Sequence, residues 1–250
     1  LPSSLLGTVA EREWLAVLPS DACSANASAE QPDDRSAVFE ALRCGEAVWG
    51  TNVVAVPFGS PVFVCYYRAD LLERLDRSPP RTWDEYASLA RLLADANPGV
   101  EPWRGAMEPL CPGWAGLVLL ARAAAYAKHR ENYSVWFDIN TMAPLIAGPP
   151  LVQALEELVE TAKLGTAESL ELDPDGVRRA FWSGRAGMVL TWPTATADAI
   201  PAETDAPFPV GFAELPGSAK VYNVSRSRWD ERGEDECPRV PLLGIAGRLG

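Results

Sequence analysis

Residues 53–94 read VVAVPFGSPVFVCYYRADLLERLDRSPPRTWDEYASLARLLA, and they decide the fold. Val53, Val54, Val56 and Phe58, then Val62, Phe63, Val64, Cys65, Tyr66 and Tyr67, form two apolar runs of the kind found in strands buried on both faces. Between them stand Pro57, Gly59 and Pro61. Proline cannot donate to a sheet ladder and glycine weakens one, so the interruption marks where the chain leaves one sheet and enters another. After Pro79 and Pro80, Thr82 is a candidate cap and Glu85, three residues on, completes a capping box. Trp83, Tyr86, Ala87, Ala90, Leu93 and Ala94 supply an inward face until Asn97, Pro98 and Gly99 end the helix.

Working outward, Ser20 to Asp34 reads as a surface loop before a short helix at about 35–44. Residues 101–113 carry proline and glycine without periodicity and read as a long loop that feeds an apolar helix over 114–130. A further helix starts at Pro150 and runs to Gly165, with Glu156, Glu157 and Glu160 on its outer face. Asp173 and Pro174 cap and open another, closed at Gly184, and the apolar strand 186–192 follows. Strands alternating with helices predict an α/β arrangement.

Composition narrows the function. With 34 acidic against 22 basic residues the formal charge is -12, which disfavours binding to a phosphate backbone, so no nucleic-acid partner is expected. The apolar run 114–121 is too short to span a bilayer before Arg122 interrupts it. Five cysteines, at 23, 44, 65, 111 and 237, form no C-x-x-C pair, and His129 is the single histidine. A disulfide framework, a zinc site and any other metal or cofactor are therefore not expected. The N-x-S sequons at Asn26, Asn132 and Asn223 are no more than chance supplies.

Three passages resemble one family. VPFGSPVFVCYYRADLLERLDRSPPRTWDEYASLARLLA, FWSGRAGMVLTWP (181–193) and VGFAELPGS (210–218) occur in the order found in extracellular solute-binding proteins of ABC importers, the sugar-binding group with the maltose-binding-protein fold. Arg68 stands where that family usually has asparagine, and Gly187 where it has alanine. The resemblance implies a two-lobed α/β fold of the periplasmic-binding-protein kind with hinge crossovers. Residues 1–60 would form part of the first lobe, 61–211 the second, and 212–250 the return to the first, with both ends truncated relative to the family. It also implies a non-catalytic monomer, periplasmic or extracellular and either free or lipid-anchored. Such a protein delivers a sugar or similar polar solute to importer membrane subunits.

Candidate ligand residues follow. In open α/β sheets ligands bind beyond the carboxyl ends of strands, beside helix N-termini, and Trp192 occupies such a place with Pro193 and Thr194 after it. The family's loop at the position of 101–113 carries ligand-contacting carboxylate and aromatic residues, which selects Glu108 and Trp114; its hinge segment selects Phe58 and Ser60. Three have a plainer alternative: a core tryptophan at 192, a solvated loop charge at 108, a turn hydroxyl at 60. Two rival functions stay open. A glycoside hydrolase needs a carboxylate pair, yet Glu156 with Glu160 reads as a solvated helix face. A serine hydrolase lacks a G-x-S-x-G elbow. A protein-interaction module would use the same aromatic residues as a docking patch.

Overall fold

The computed structural model describes residues 5–19, 47–56, 62–132, 134–164, 167–192 and 207–232. Phe58, Gly59, Ser60, Thr194, the loop expected at 20–34 and the helix expected at 35–44 lie outside them. The described residues fall into two compact units, one ending at Val62 and one beginning at Phe63.

In the first unit, helix α1 (Leu6–Glu11) is followed by strands β1 (Val48–Trp49) and β2 (Asn52–Val53), an antiparallel pair turned at Gly50 with φ of 62°. That positive φ is the reason glycine suits the turn. Val53 is buried, whereas Val54 is only half-buried and Val56 is exposed, so the first apolar run is less enclosed than its composition implies.

The second unit is built on a four-stranded sheet in the order β4-β5-β3-β6. Its strands are β3 (Val64–Arg68), β4 (Arg104–Met107), β5 (Ala186–Thr191) and β6 (Val210–Glu214). β3 is antiparallel to β5 and β6, while β4 runs parallel to β5. The chain therefore stands in different sheets on either side of residues 57–61, as the proline and glycine pattern predicts.

Arg68, the departure from the family's asparagine, closes β3. Its guanidinium donates to both carboxylate oxygens of Asp70, at 2.8 and 2.6 Å, and lies 4.0 Å from the centre of the Phe208 ring. Helix α2 (Ala69–Arg74) starts there, and α3 (Trp83–Asp95) follows with the expected cap. Thr82 Oγ1 accepts from the Glu85 N–H at 3.2 Å, and the Glu85 carboxylate accepts from the Arg81 N–H at 2.6 Å, one residue ahead of the usual capping-box donor. Trp83, Tyr86, Leu89, Ala90 and Leu93 are buried; Ala87 and Ala94, expected inward, are half-buried.

Residues 101–113 are not all loop. β4 lies within them, and its glycine, which reads as a loop signal, permits a close approach: a Cβ on Gly105 would stand 1.9 Å from the Ala90 carbonyl oxygen of α3. Gly187 serves the same packing, since a Cβ there would stand 3.1 Å from both Leu93 Cβ and the Gly105 carbonyl oxygen. Trp103 Nε1 donates to the Leu93 carbonyl at 2.8 Å and ties β4 to the same helix.

Helix α4 (Ala115–Ala127) is the expected apolar helix, and α5 (Pro149–Ala162) packs against it. One expectation for α5 fails. Glu157 does not join the outer face, because its carboxylate accepts from the Tyr126 hydroxyl at 2.7 and 2.8 Å and from Gln153 Nε2 at 2.7 Å. Glu156 and Glu160 are exposed as expected, and Glu160 pairs with Lys163. Helix α6 (Pro174–Trp182) begins where Asp173 accepts from the Gly176 N–H at 2.7 Å, and it packs on β5. Phe181, Trp182, Val177 and Ala180 of α6 form a core with Met107, Ala186 and Val189, whose burial in the sheet explains an apolar strand at 186–191.

Residues 212–232, expected in the return to the first lobe, lie in the second unit. β7 (Lys220–Asn223) and β8 (Arg228–Glu231) form an antiparallel hairpin on the end of α4, held where Asn132 Nδ2 donates to the Ala127 and Tyr222 carbonyls at 3.0 and 2.9 Å. The Asn132 and Asn223 side chains of two sequons are committed to this contact, Asn223 Nδ2 donating to Glu131 at 2.9 Å.

Candidate functional site

β4 and β5 run parallel, so their carboxyl ends share one edge of the sheet. Glu108 follows β4 and Trp192 follows β5; because β3 is antiparallel to β5, Phe63 before β3 reaches the same edge. Trp114, the residue before α4, completes the group.

The rings converge. Phe63 and Trp192 stack with centroids 4.1 Å apart and planes 21° from parallel, and Trp114 lies 5.0 Å from Trp192 at 50°. Two of the six predicted ligand residues, Trp114 and Trp192, thus come together, in direct contact and not across a groove. Their exposure differs: Trp192 is 6% exposed and Trp114 37%. With Phe63 stacked on its face, Trp192 backs the cluster, and Trp114 is the ring that solvent reaches.

The backbone at Trp192 is pinned from α6. Buried Arg178 donates through one nitrogen to the Trp192 carbonyl and to Thr191 Oγ1, and through the other pairs with Asp175. Thr191 Oγ1 in turn donates to the Pro174 carbonyl at 3.2 Å. Burial is the main cause that lowers the Arg178 pKa, though an arginine remains charged.

Glu108 is 5% exposed, and its Oε1 accepts from fully buried Arg122 at 2.8 Å. Arg122 comes from α4 and lies 4.0 Å from the centre of the Trp83 ring, with Glu157 at 3.9 Å on another side. Burial, and after it the Glu108 charge, pushes the Tyr86 hydroxyl pKa well up, so it stays neutral. Tyr126 is raised for the same first reason, with the Glu157 hydrogen bonds second. The Glu108 carboxylate is thus a buried partner of a guanidinium, not a solvated loop charge. The remaining three predicted residues, Phe58, Ser60 and Thr194, lie outside the described residues.

Sequence reasoning missed three residues here. Phe63 was visible only as one of an apolar run. Arg122 left a stronger trace, a single charge inside an otherwise apolar helix, which demands a buried carboxylate partner. Arg178 sits among helix charges and left none. Among the described residues no cluster of histidine, cysteine and carboxylate side chains could hold a metal, and no helix is long and apolar enough to cross a membrane.

Residues 4–227 match the family described as bacterial extracellular solute-binding protein. The chain belongs to that family. Among solved structures it is similar to an ABC transporter solute-binding protein from Agrobacterium vitis S4 with bound D-mannitol, with 21% identity and a TM-score of 0.65 over 86% of this chain and 49% of that one. It is similar also to maltose-bound MalE3 of T. maritima (25% identity, TM-score 0.52, 69% of this chain and 42% of that one). A third likeness is to the ribitol complex of a solute-binding protein from Agrobacterium radiobacter K84 (21%, 0.55, 68% and 41%). The chain therefore spans about half the length of these proteins or less. A comparison with curated proteins found no match. The α/β fold is that of the periplasmic binding proteins, as the three sequence passages imply.

Proposed function

We propose that the chain is the binding component of an ABC importer and that it takes a sugar or polyol at the edge bearing Trp114 and Trp192. The observation that carries this reading is the meeting of those two indoles beyond the carboxyl end of β5, with one ring exposed. Flat rings with a polar edge suit the apolar face of a sugar or the carbon chain of a polyol. D-mannitol, maltose and ribitol in the similar structures give the first ligands to try.

In this reading Phe58, Ser60 and Thr194 add contacts from the segment between the two apolar runs and from the segment after β5. Glu108 acts at one remove by fixing Arg122, and hence α4 and Trp114. The two units, one ending at Val62 and one beginning at Phe63, belong to the two lobes that close on the solute, and closure shifts an existing open and closed equilibrium. The protein works as a monomer outside the cytoplasm, free or lipid-anchored, with importer membrane subunits as partners. It performs no chemistry on its solute.

Calorimetric titration of the whole protein with mannitol, ribitol and maltose tests the proposal. Saturable binding to at least one, weakened in Trp114→Ala, supports it; absence of binding across polyols and oligosaccharides rejects it.

A further inference from the structure

At the end of α4 away from Trp114 lies a cavity of about 590 Å³, between the helix terminus and the β7–β8 hairpin. The thirteen residues of α4 separate the two places by about 20 Å at 1.5 Å per residue. In a chain of formal charge -12 this cavity has the opposite sign. Lys128 and Arg130 from the helix end and Arg226, Arg228 and Arg232 from the hairpin line it, against the three carboxylates Glu131, Asp230 and Glu231.

Two of those carboxylates are already engaged within the wall. Glu131 accepts from Asn223 Nδ2 at 2.9 Å and lies 3.8 Å from Arg226, while Asp230 accepts from Arg228 Nε at 2.8 Å. His129, also in the wall, accepts the Glu131 N–H at Nδ1 (3.0 Å) and turns Nε2 to Asp230 at 3.5 Å.

A helix C-terminus by itself repels anions through its free carbonyls. Here three of the last four carbonyls are covered: Ala125 accepts from Arg232 at 2.9 Å, Ala127 from Asn132 and Ala124 from the Lys128 N–H. Asn132 Oδ1 also accepts from the Val224 N–H at 3.2 Å, so helix end and hairpin form one braced frame.

We infer that this cavity is a second small-molecule site, for an organic anion bearing two or more carboxylate or phosphate groups. The volume falls within the roughly 300–1,000 Å³ of small-molecule sites, more than one inorganic anion fills. Cations arriving from two elements suit a ligand with separated charges, and charge-assisted hydrogen bonds supply the affinity. The inference does not depend on what binds at the Trp114 edge.

Calorimetric titration of the whole chain with citrate, a hexose bisphosphate and inorganic phosphate tests it, with sodium chloride at matched ionic strength as the control. Saturable binding is expected for citrate or the hexose bisphosphate, weaker for inorganic phosphate, and weakened further by added salt. The relative affinities of citrate and hexose bisphosphate separate a carboxylate from a phosphate ligand. The Lys128→Ala, Arg130→Ala double variant should raise Kd by about tenfold or more, and Trp114→Ala should leave it unchanged. Should the double variant fail to fold, Arg226→Gln at an exposed position is the substitute, with a smaller loss in the same direction. Heats no larger than with sodium chloride, an unchanged Kd in the charge variant, or loss of anion binding in Trp114→Ala would each overturn the assignment.

Discussion

The Trp114 and Trp192 rings stand 5.0 Å apart at 50°, one on the entry to α4 and the other on the exit from β5. Their unequal exposure separates their roles. Trp114→Ala should weaken polyol or sugar affinity by about 1–3 kcal/mol and change thermal stability little. Trp192→Ala should weaken binding too, but with a stability loss on the order of 3–5 kcal/mol, because it opens a cavity against Phe63. Calorimetry and urea denaturation on both variants separate the two effects; equal stability loss at both positions would contradict this division.

Glu108 and Arg122 form a buried ion pair at 2.8 Å. Removing one member strands a charge, so Glu108→Leu or Arg122→Met alone should cost about 3–5 kcal/mol. The double variant replaces both charges with apolar groups and should recover most of that loss. Additive losses, read from urea midpoints, would show that the two side chains do not act as a unit.

How far the sequence displays this structure depends on the range of the interaction. The Thr82 and Asp173 caps are legible because donor and acceptor lie within three residues of one another. β5 is legible because a strand buried throughout shows an unbroken apolar run. β4 hides between prolines, and the reason for its glycine is a carbonyl on α3. Glu157 looks like its solvated neighbours until α4 brings Tyr126 to it. Of the site, strand order and helix starts indicate Trp192 and the resemblance indicates Trp114. Their contact, and the commitment of Glu108 to Arg122, depend on how α4 is set against the sheet.

Gly105 offers a sharp test of the packing that sets β4. A methyl group there would meet the Ala90 oxygen at 1.9 Å and the Ala94 nitrogen at 2.6 Å, both backbone atoms that cannot rotate away. Gly105→Ala should therefore destabilise the protein by about 3 kcal/mol or more, the upper end for overpacking. Gly116→Ala, with open space around it, should change stability by less than about 0.5 kcal/mol or raise it, since alanine favours a helix. Similar denaturation midpoints for the two variants would refute the close approach.

Asp70 gives the acid limb of stability a specific contribution. Hydrogen bonds from Arg68 are the largest cause that holds its carboxyl below the ordinary 3.8. The folded state therefore releases this proton more readily than the unfolded chain. The resulting stabilisation is fully present above pH 3.8 and is lost as pH falls through the lower folded-state value. Asp70→Asn should lower the urea midpoint near neutral pH, and the gap to the parent should narrow at about pH 3. A gap of constant size across that range would remove Asp70 from the account.

Arg178 is the residue through which α6 sets the end of β5. Its two donor nitrogens reach the Trp192 carbonyl on one side and exposed Asp175 on the other, and the burial of Arg178 keeps water from replacing the bond to the carbonyl. Arg178→Met keeps the bulk of the side chain and leaves the Trp192 carbonyl unpaired, so the backbone that presents Trp192 should relax. The expected result is lower stability together with a blue-to-red shift in tryptophan fluorescence as the ring gains solvent. Ligand affinity should fall by about tenfold, a loss that Arg178→Lys restores in part because one donor survives. A purely structural role predicts the stability loss without the fluorescence shift, and with ligand affinity unchanged under conditions where the variant is folded.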